Sequence, residues 1–316
     1  MKNFRKINRA LAAKKKVLVL VAAMMAVVVS AKAEVAFAYE AGAELVSAYI
    51  WRGQYNGGLS FQPEALIGFD GEHTSLRLGA WASLGASDWK FQKGLPIYQD
   101  ADENDINPNT RFMPEVDIIG SFSLFGLTVG FNHYYYCDGT SFLNWKSVAD
   151  IDAQSGTSTT EVWAGYNFSQ IFGDKAGAYI NWYTTVAGGD LNYILNEETG
   201  ETEAKRAWSS YLEIGYDYTF EDVGVTVGAQ VGMSPWRSDN LYYNEKFAVT
   251  NISLKIDKEW EFDHFSLNLF AQGSLNPNGL VTDKNLEEYN IYINKAGDEK
   301  LYLQKLNGVV GLGIWF

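Results

Sequence analysis

The sequence predicts an all-β protein: a transmembrane antiparallel up-and-down β-barrel of about twelve strands, with short periplasmic turns and long extracellular loops. Three observations predict it. The last stretch alternates strictly, with Leu306, Gly308, Val310, Leu312, Ile314 and Phe316 on one parity and Lys305, Asn307, Val309, Gly311, Gly313 and Trp315 on the other. Successive strand side chains point to opposite faces, so one face is apolar and the other small or polar. Runs of the same kind recur along the chain, joined by connections that alternate short and long. Finally, no apolar run after the N-terminal region approaches the roughly 20 residues of a membrane helix, while a spanning strand needs only about 9 to 11.

The N-terminal region reads as a signal peptide over residues 1–33. Lys2, Arg5, Lys6, Arg9 and Lys14 to Lys16 precede the apolar run from Val17 to Val29, and Ala31-Lys32-Ala33 supplies a small-x-small cleavage site. Cleavage follows Ala33 or, alternatively, Ala38. Removing residues 1–33 takes away eight basic and no acidic groups, so the formal charge falls from −13 to −21. Such an acidic chain is unsuited to nucleic acid or to docking on anionic lipid. Its single cysteine, Cys137, excludes an intrachain disulfide.

A first strand is expected from Glu44 to Arg52, with ambiguous facing because Leu45, Val46, Ile50 and Trp51 occupy both parities. Gly53 and Asn56-Gly57-Gly58 then turn the chain. The second strand, Phe61 to Phe69, sets Phe61, Ala65, Ile67 and Phe69 against Gln62, Glu64 and Gly68. After Asp70-Gly71-Glu72 the third sets Leu76, Leu78, Ala80, Ala82 and Leu84 against Arg77, Gly79, Trp81 and Ser83. A long polar segment follows, and then the fourth strand, Glu115 to Leu124. The Phe125-Gly126 turn leads to the fifth, with Leu127, Val129 and Phe131 opposite Thr128, Gly130 and Asn132.

Past a long loop, the sixth (Glu161 to Phe168) and seventh (Gly177 to Val186) are joined by a modest turn. A long loop from Gly188 to Arg206 precedes the eighth, which opposes Leu212, Ile214 and Tyr216 to Glu213, Gly215 and Asp217. The ninth begins at Val223. The tenth sets Ile252, Leu254 and Ile256 against Ser253, Lys255 and Asp257, and Glu259 to Asp263 is a turn. The eleventh begins at Phe265, and a last long loop, Asn276 to Leu301, precedes the terminal strand.

Three segments carry a family resemblance. Ser47-Ala48-Tyr49-Ile50-Trp51-Arg52-Gly53, Gly79-Ala80-Trp81-Ala82-Ser83 and Glu115-Val116-Asp117 resemble the TorF-like porin family, with its Ser-x-Tyr-x-aromatic-Arg-Gly and Gly-x-Trp-x-Ser strands. Ala48 stands where family members usually carry Asp, so no role for that carboxylate transfers. The resemblance implies a barrel and a channel, and no particular solute. Leu312, Ile314 and Phe316 likewise resemble the C-terminal signal by which the barrel-assembly machinery recognises outer-membrane barrels.

With the apolar face toward lipid, the expected lumen residues are Glu64, Arg77, Glu115, Asp117, Glu161, Glu213, Asp217, Lys255, Asp257 and Lys305, with Arg52 of uncertain facing. Acids outnumber bases among them. Two readings stand side by side: a narrow polar pore for passive diffusion of small polar solutes with a mild cation preference, or a closed barrel with a structural or loop-mediated adhesion role. Aromatic residues near strand ends, including Tyr49, Trp51, Tyr166, Trp182, Tyr216, Tyr218 and Phe316, are expected in the interfacial girdles.

No enzyme is expected, since His133 has Tyr135 two residues on rather than a serine partner. Asp100-Ala101-Asp102-Glu103-Asn104-Asp105 lacks the glycine and the terminal glutamate of a calcium loop, so neither metal nor cofactor is expected. The expected partners are outer-membrane lipid and lipopolysaccharide, the barrel-assembly machinery and small polar solutes, with no nucleic acid. The sequence leaves the oligomeric state open.

Overall fold

In the computed structural model the described residues are 35–86, 112–137, 142, 158–173, 177–195, 202–239, 241–278 and 305–316. The predicted signal peptide and the Asp100 to Asp105 segment lie outside them. In chain order the strands are β1 (Ala36–Val46), β2 (Tyr49–Trp51), β3 (Gln54–Gly57), β4 (Ser60–Asp70), β5 (Thr74–Ala86), β6 (Phe112–Leu124), β7 (Leu127–Tyr135) and β8 (Thr159–Asn167). After a single helical turn, α1 (Ser169–Phe172), come β9 (Gly177–Ala187), β10 (Leu191–Leu195), β11 (Thr202–Arg206), β12 (Ser210–Phe220), β13 (Val225–Ser234), β14 (Ala248–Glu261), β15 (Ser266–Leu275) and β16 (Leu306–Trp315).

Twelve of these strands close an antiparallel barrel in the order β1-β16-β15-β14-β13-β12-β9-β8-β7-β6-β5-β4, with β4 pairing back onto β1. The two short pairs, β2-β3 and β10-β11, stand outside the wall. The tight turns between wall strands fall at one end with the β1 start and the β16 finish. The segments containing β2-β3 and β10-β11 fall at the other, together with the described residues 136–137, 235–239, 241–247 and 276–278.

The alternation read in the sequence is the alternation of the wall. Along β16, Asn307, Val309, Gly311 and Gly313 are buried toward the bore, while Leu306, Val310 and Leu312 are exposed. Leu254 and Ile256 on β14, Leu269 on β15, Ile67 on β4 and Leu78 on β5 are exposed in the same way. A continuous apolar outer surface of this kind is what a lipid-facing barrel requires, and closure leaves no unpaired sheet edge. Leu254→Lys, placed mid-strand on that surface, is expected to cost about 2–4 kcal/mol of folding stability in phospholipid vesicles. The urea midpoint measures it, and an unchanged midpoint would show that this face does not meet lipid.

The structure corrects several boundaries. The first wall strand is Ala36–Val46, not Glu44 to Arg52. The wall breaks at Ser47, whose amide donates to the Val310 carbonyl (2.9 Å) while its Oγ accepts from the Val310 amide (2.9 Å), and the chain then turns into the bore. Mixed parity from Leu45 to Trp51 therefore marks two segments joined at a break. Val223 belongs to a 3-10 turn before β13 and Phe265 to the turn before β15, whereas Glu259, expected in a turn, lies within β14. The Gly188 to Arg206 segment is largely the β10-β11 ribbon rather than an unstructured loop.

Candidate functional site

The β2-β3 hairpin carries the residue on which the bore is built. Its underside is apolar: Ile50 and Tyr55, cross-strand partners, pack against Val46, Ala48, Phe270 and Val309 inside the barrel. Its tip is the two-residue turn Arg52-Gly53, with φ of +49° and +81°. Positive φ at both central residues is the primed-turn geometry that matches strand twist. Glycine adopts it freely; arginine does so at a cost of order 1 kcal/mol, which tertiary contacts must offset.

Those contacts are extensive. Arg52 donates from Nη2 to Glu161 Oε1 and from Nη1 to Glu161 Oε2, each at 2.7 Å, a bidentate fork on a carboxylate that is 1% exposed. Nη1 also donates to Tyr242 Oη at 2.5 Å. The guanidinium carbon lies 4.6, 4.1 and 4.7 Å from the ring centroids of Trp51, Tyr183 and Tyr211. Burial by itself would push the Arg52 pKa down, but Glu161 outweighs it and holds the group well above its ordinary value. Arg52 is thus a charged side chain held inside the barrel.

Opposing elements hold it in place. Glu161, on β8, also accepts from Tyr134 Oη (2.9 Å) and Asn132 Nδ2 (3.3 Å) of β7. Tyr242 reaches in from the 235–247 segment and lies in a stack, 5.9 Å from Trp51 and 5.6 Å from Tyr211. Asn307 Nδ2 donates to the Gly53 carbonyl (2.9 Å), and Gln54 Nε2 to the Leu241 carbonyl (2.8 Å). A Cβ at Gly53 would fall 2.5 Å from the Thr250 carbonyl oxygen, so the tip rests directly on β14. Elsewhere the inward aromatic rings lie along the wall: Tyr211 covers the bare backbone of Gly232 on the neighbouring strand.

Two zones of charge result. Behind the hairpin, Glu115 and Asp117 are each only 6% exposed. The Tyr49 ring lies 5.4 Å from that of Trp81, tilted by 52°, while Asp117 Oδ1 has no hydrogen-bond partner. Glu213 is half-buried and accepts from Asn181 Nδ2 at 3.5 Å. Toward the short-turn end the inner wall is more open. Arg77 forks onto Asp70 at 2.7 and 2.8 Å and approaches Glu40 at 3.4 Å. Lys255 lies 3.6 Å from Asp257 and 4.5 Å from the Phe270 centroid. Glu44, Glu64 and Asp217 complete this vestibule, where six carboxylates, counting Glu40, Asp70 and Asp257, face the two bases Arg77 and Lys255.

Glu64, Arg77, Glu115, Asp117, Glu161, Glu213, Asp217, Lys255 and Asp257 thus all lie on inward parities of wall strands. Lys305 does not: it precedes β16 at the long-loop rim and is exposed. Tyr49 and Trp51, expected in the girdle, lie inside the bore on the hairpin. Leu312 and Phe316 are exposed and Ile314 is half-buried on the outer face. Sequence reasoning missed Glu40 and Glu44, because the first strand was placed too late, and Tyr242, which sits in a segment without periodicity.

No family model matches the chain, and no curated protein matches it. Among solved structures, the COG4313 outer membrane channel from Pseudomonas putida F1 is similar over 90% of this chain and 94% of its own, at 9% identity and a TM-score of 0.39. The CymD monoaromatic hydrocarbon channel is similar over 88% and 87%, at 11% identity and a TM-score of 0.37. Salmonella typhi OmpF, in complex with daunomycin, is similar over 90% and 98%, at 11% identity and a TM-score of 0.35. Likenesses this remote carry nothing about solute or gating.

Proposed function

We propose that the protein is an outer-membrane channel for small polar solutes whose bore is shut at rest by the β2-β3 hairpin at its extracellular end. The observation that carries this reading is the pairing of a wet, charged vestibule at the short-turn end with a buried Arg52–Glu161 lock at the other. Charges inside a barrel of this kind are tolerable where water reaches them or where they pair. Here both conditions hold, in different zones. The excess of vestibule carboxylates supports a cation preference, and the resemblance to TorF-like porins accords with a channel.

The same reading makes residues 1–33 a cleaved signal peptide. Cleavage after Ala33 leaves β1 whole, whereas cleavage after Ala38 would remove Ala36, Phe37 and Ala38, which pair with Asp70, Phe69 and Gly68. The apolar face then meets lipid, the rim meets lipopolysaccharide, and Leu312, Ile314 and Phe316 serve the assembly machinery. A second reading, a permanently closed barrel that works through its outer segments, is favoured by one observation, the burial of Glu115 and Asp117.

Reversal potentials in a KCl gradient test the channel and its selectivity together. The wild type is expected to prefer K⁺, and the double neutralisation Glu64→Gln/Asp217→Asn to reduce that preference about two- to threefold, as rings of carboxylates set cation selectivity. Anion preference, or a preference the neutralisation does not move, would remove the vestibule carboxylates from the conducting path.

A further inference from the structure

Arg52 occupies a seat that the rest of the barrel builds without it. Trp51 alone among its contacts belongs to the hairpin; Glu161, Tyr183 and Tyr211 come from the wall, and Tyr242 from the 235–247 segment. The guanidinium ion is planar, weakly hydrated, forks onto carboxylates and stacks on aromatic faces, and the seat meets each of these properties. Around it acids remain in excess. Glu213 lies within electrostatic reach of Arg52, and Asp117 within reach of both Glu161 and Glu115, with its own Oδ1 buried and unpartnered. Glu213 is therefore a second carboxylate near the guanidinium, in addition to Glu161.

We propose that this seat is a binding site for a guanidinium group carried by a small solute, and that Arg52 is the tethered competitor that fills it at rest. The proposal rests on the channel reading for its purpose: a solute arriving from the long-loop end exchanges with Arg52 and frees the hairpin. Exchanging one guanidinium for another leaves the Glu161 fork and the Tyr183 and Tyr211 ring contacts unchanged in kind, while Trp51 leaves with the hairpin. What differs is the tether, which presents Arg52 at an effective concentration on the order of millimolar. Free guanidinium solutes compete weakly with the intact protein and bind far better once Arg52 is truncated. Neutral solutes of the same shape leave Glu161 without a cation and do not bind.

The test is a calorimetric titration of the folded full-length Arg52→Ala barrel in detergent with L-argininamide, using heat-modifiable gel migration to confirm folding. Saturable binding is expected, at least about tenfold tighter than to the wild type, lost on adding Glu161→Gln, and absent with L-citrullinamide, which shares the α-ammonium but replaces the guanidinium by a neutral urea. A folded Arg52→Ala barrel that takes up neither compound, or both equally, overturns the proposal. An experiment on the wild type needs no variant to fold: L-argininamide, unlike L-citrullinamide, is expected to accelerate amide exchange across residues 49–57, and unchanged exchange at saturating L-argininamide overturns the proposal as well. Both readouts are independent of conductance. A silent bilayer therefore defeats the channel reading alone, while a conducting barrel that fails these titrations defeats the seat alone.

Discussion

Glu161→Ala is expected to free the hairpin while leaving the barrel closed as a sheet. Glu161 is the only carboxylate that forks onto Arg52 among the described residues, and removing one partner of a buried ion pair leaves the other charge uncompensated, at a cost of about 3–5 kcal/mol. Nearby Glu213 offsets part of that, so about 3 kcal/mol is the expected net loss, roughly a hundredfold in the hairpin's opening equilibrium. Hydrogen exchange in detergent reads this directly. Amides of residues 49–57 should lose about a hundredfold of protection, while amides in β12 to β15 remain unchanged. Because the hairpin, and not the wall, carries Arg52, uniform loss across all strands would contradict the account. The double substitution Arg52→Met/Glu161→Leu should restore protection, since apolar replacement of both partners removes the unpaired charge.

Much of the wall is legible in the sequence because its side-chain period is two and one face is lipid-exposed. The terminal strand, Phe61 to Phe69, and the run containing Leu254 and Ile256 declare their facing locally. A one-residue slip would place every apolar group in the bore, so register follows from pattern. The hairpin is not legible in this way. Tyr49, Ile50 and Trp51 look like a strand end, and nothing local says that Ser47 closes the β1 ladder by taking both polar groups of Val310.

The central contact is still less accessible to sequence. Arg52 and Glu161 are 109 residues apart, and their meeting depends on the accumulated register of every strand between them. Tyr242 is brought in by hydrogen bonds within the 235–247 segment, where Ser238 and Asn244 exchange backbone bonds, and these have no periodic signature. The one local hint was the broken parity from Leu45 to Trp51. Two apolar pairs on opposite faces indicate a bent segment more economically than an ambiguous strand.

Excising the hairpin should have the largest effect on function. Replacing residues 49–57 by a short Gly-Ser linker removes Arg52, Trp51 and the Ile50–Tyr55 contacts together, while the β1–β4 ladder from Ala36↔Asp70 to Val46↔Ser60 remains to close the wall. With the lock gone, the open population should rise about a hundredfold if the plug is held by the roughly 3 kcal/mol argued above. Single-channel recording in planar bilayers under KCl, with the wild-type and excised barrels side by side, is the most direct measurement of this. The account predicts a wild type that opens rarely and briefly and an excised barrel that stays open. A wild type that conducts steadily and is unaltered by excision would contradict the hairpin as the gate, and silence from both folded barrels would contradict the channel itself.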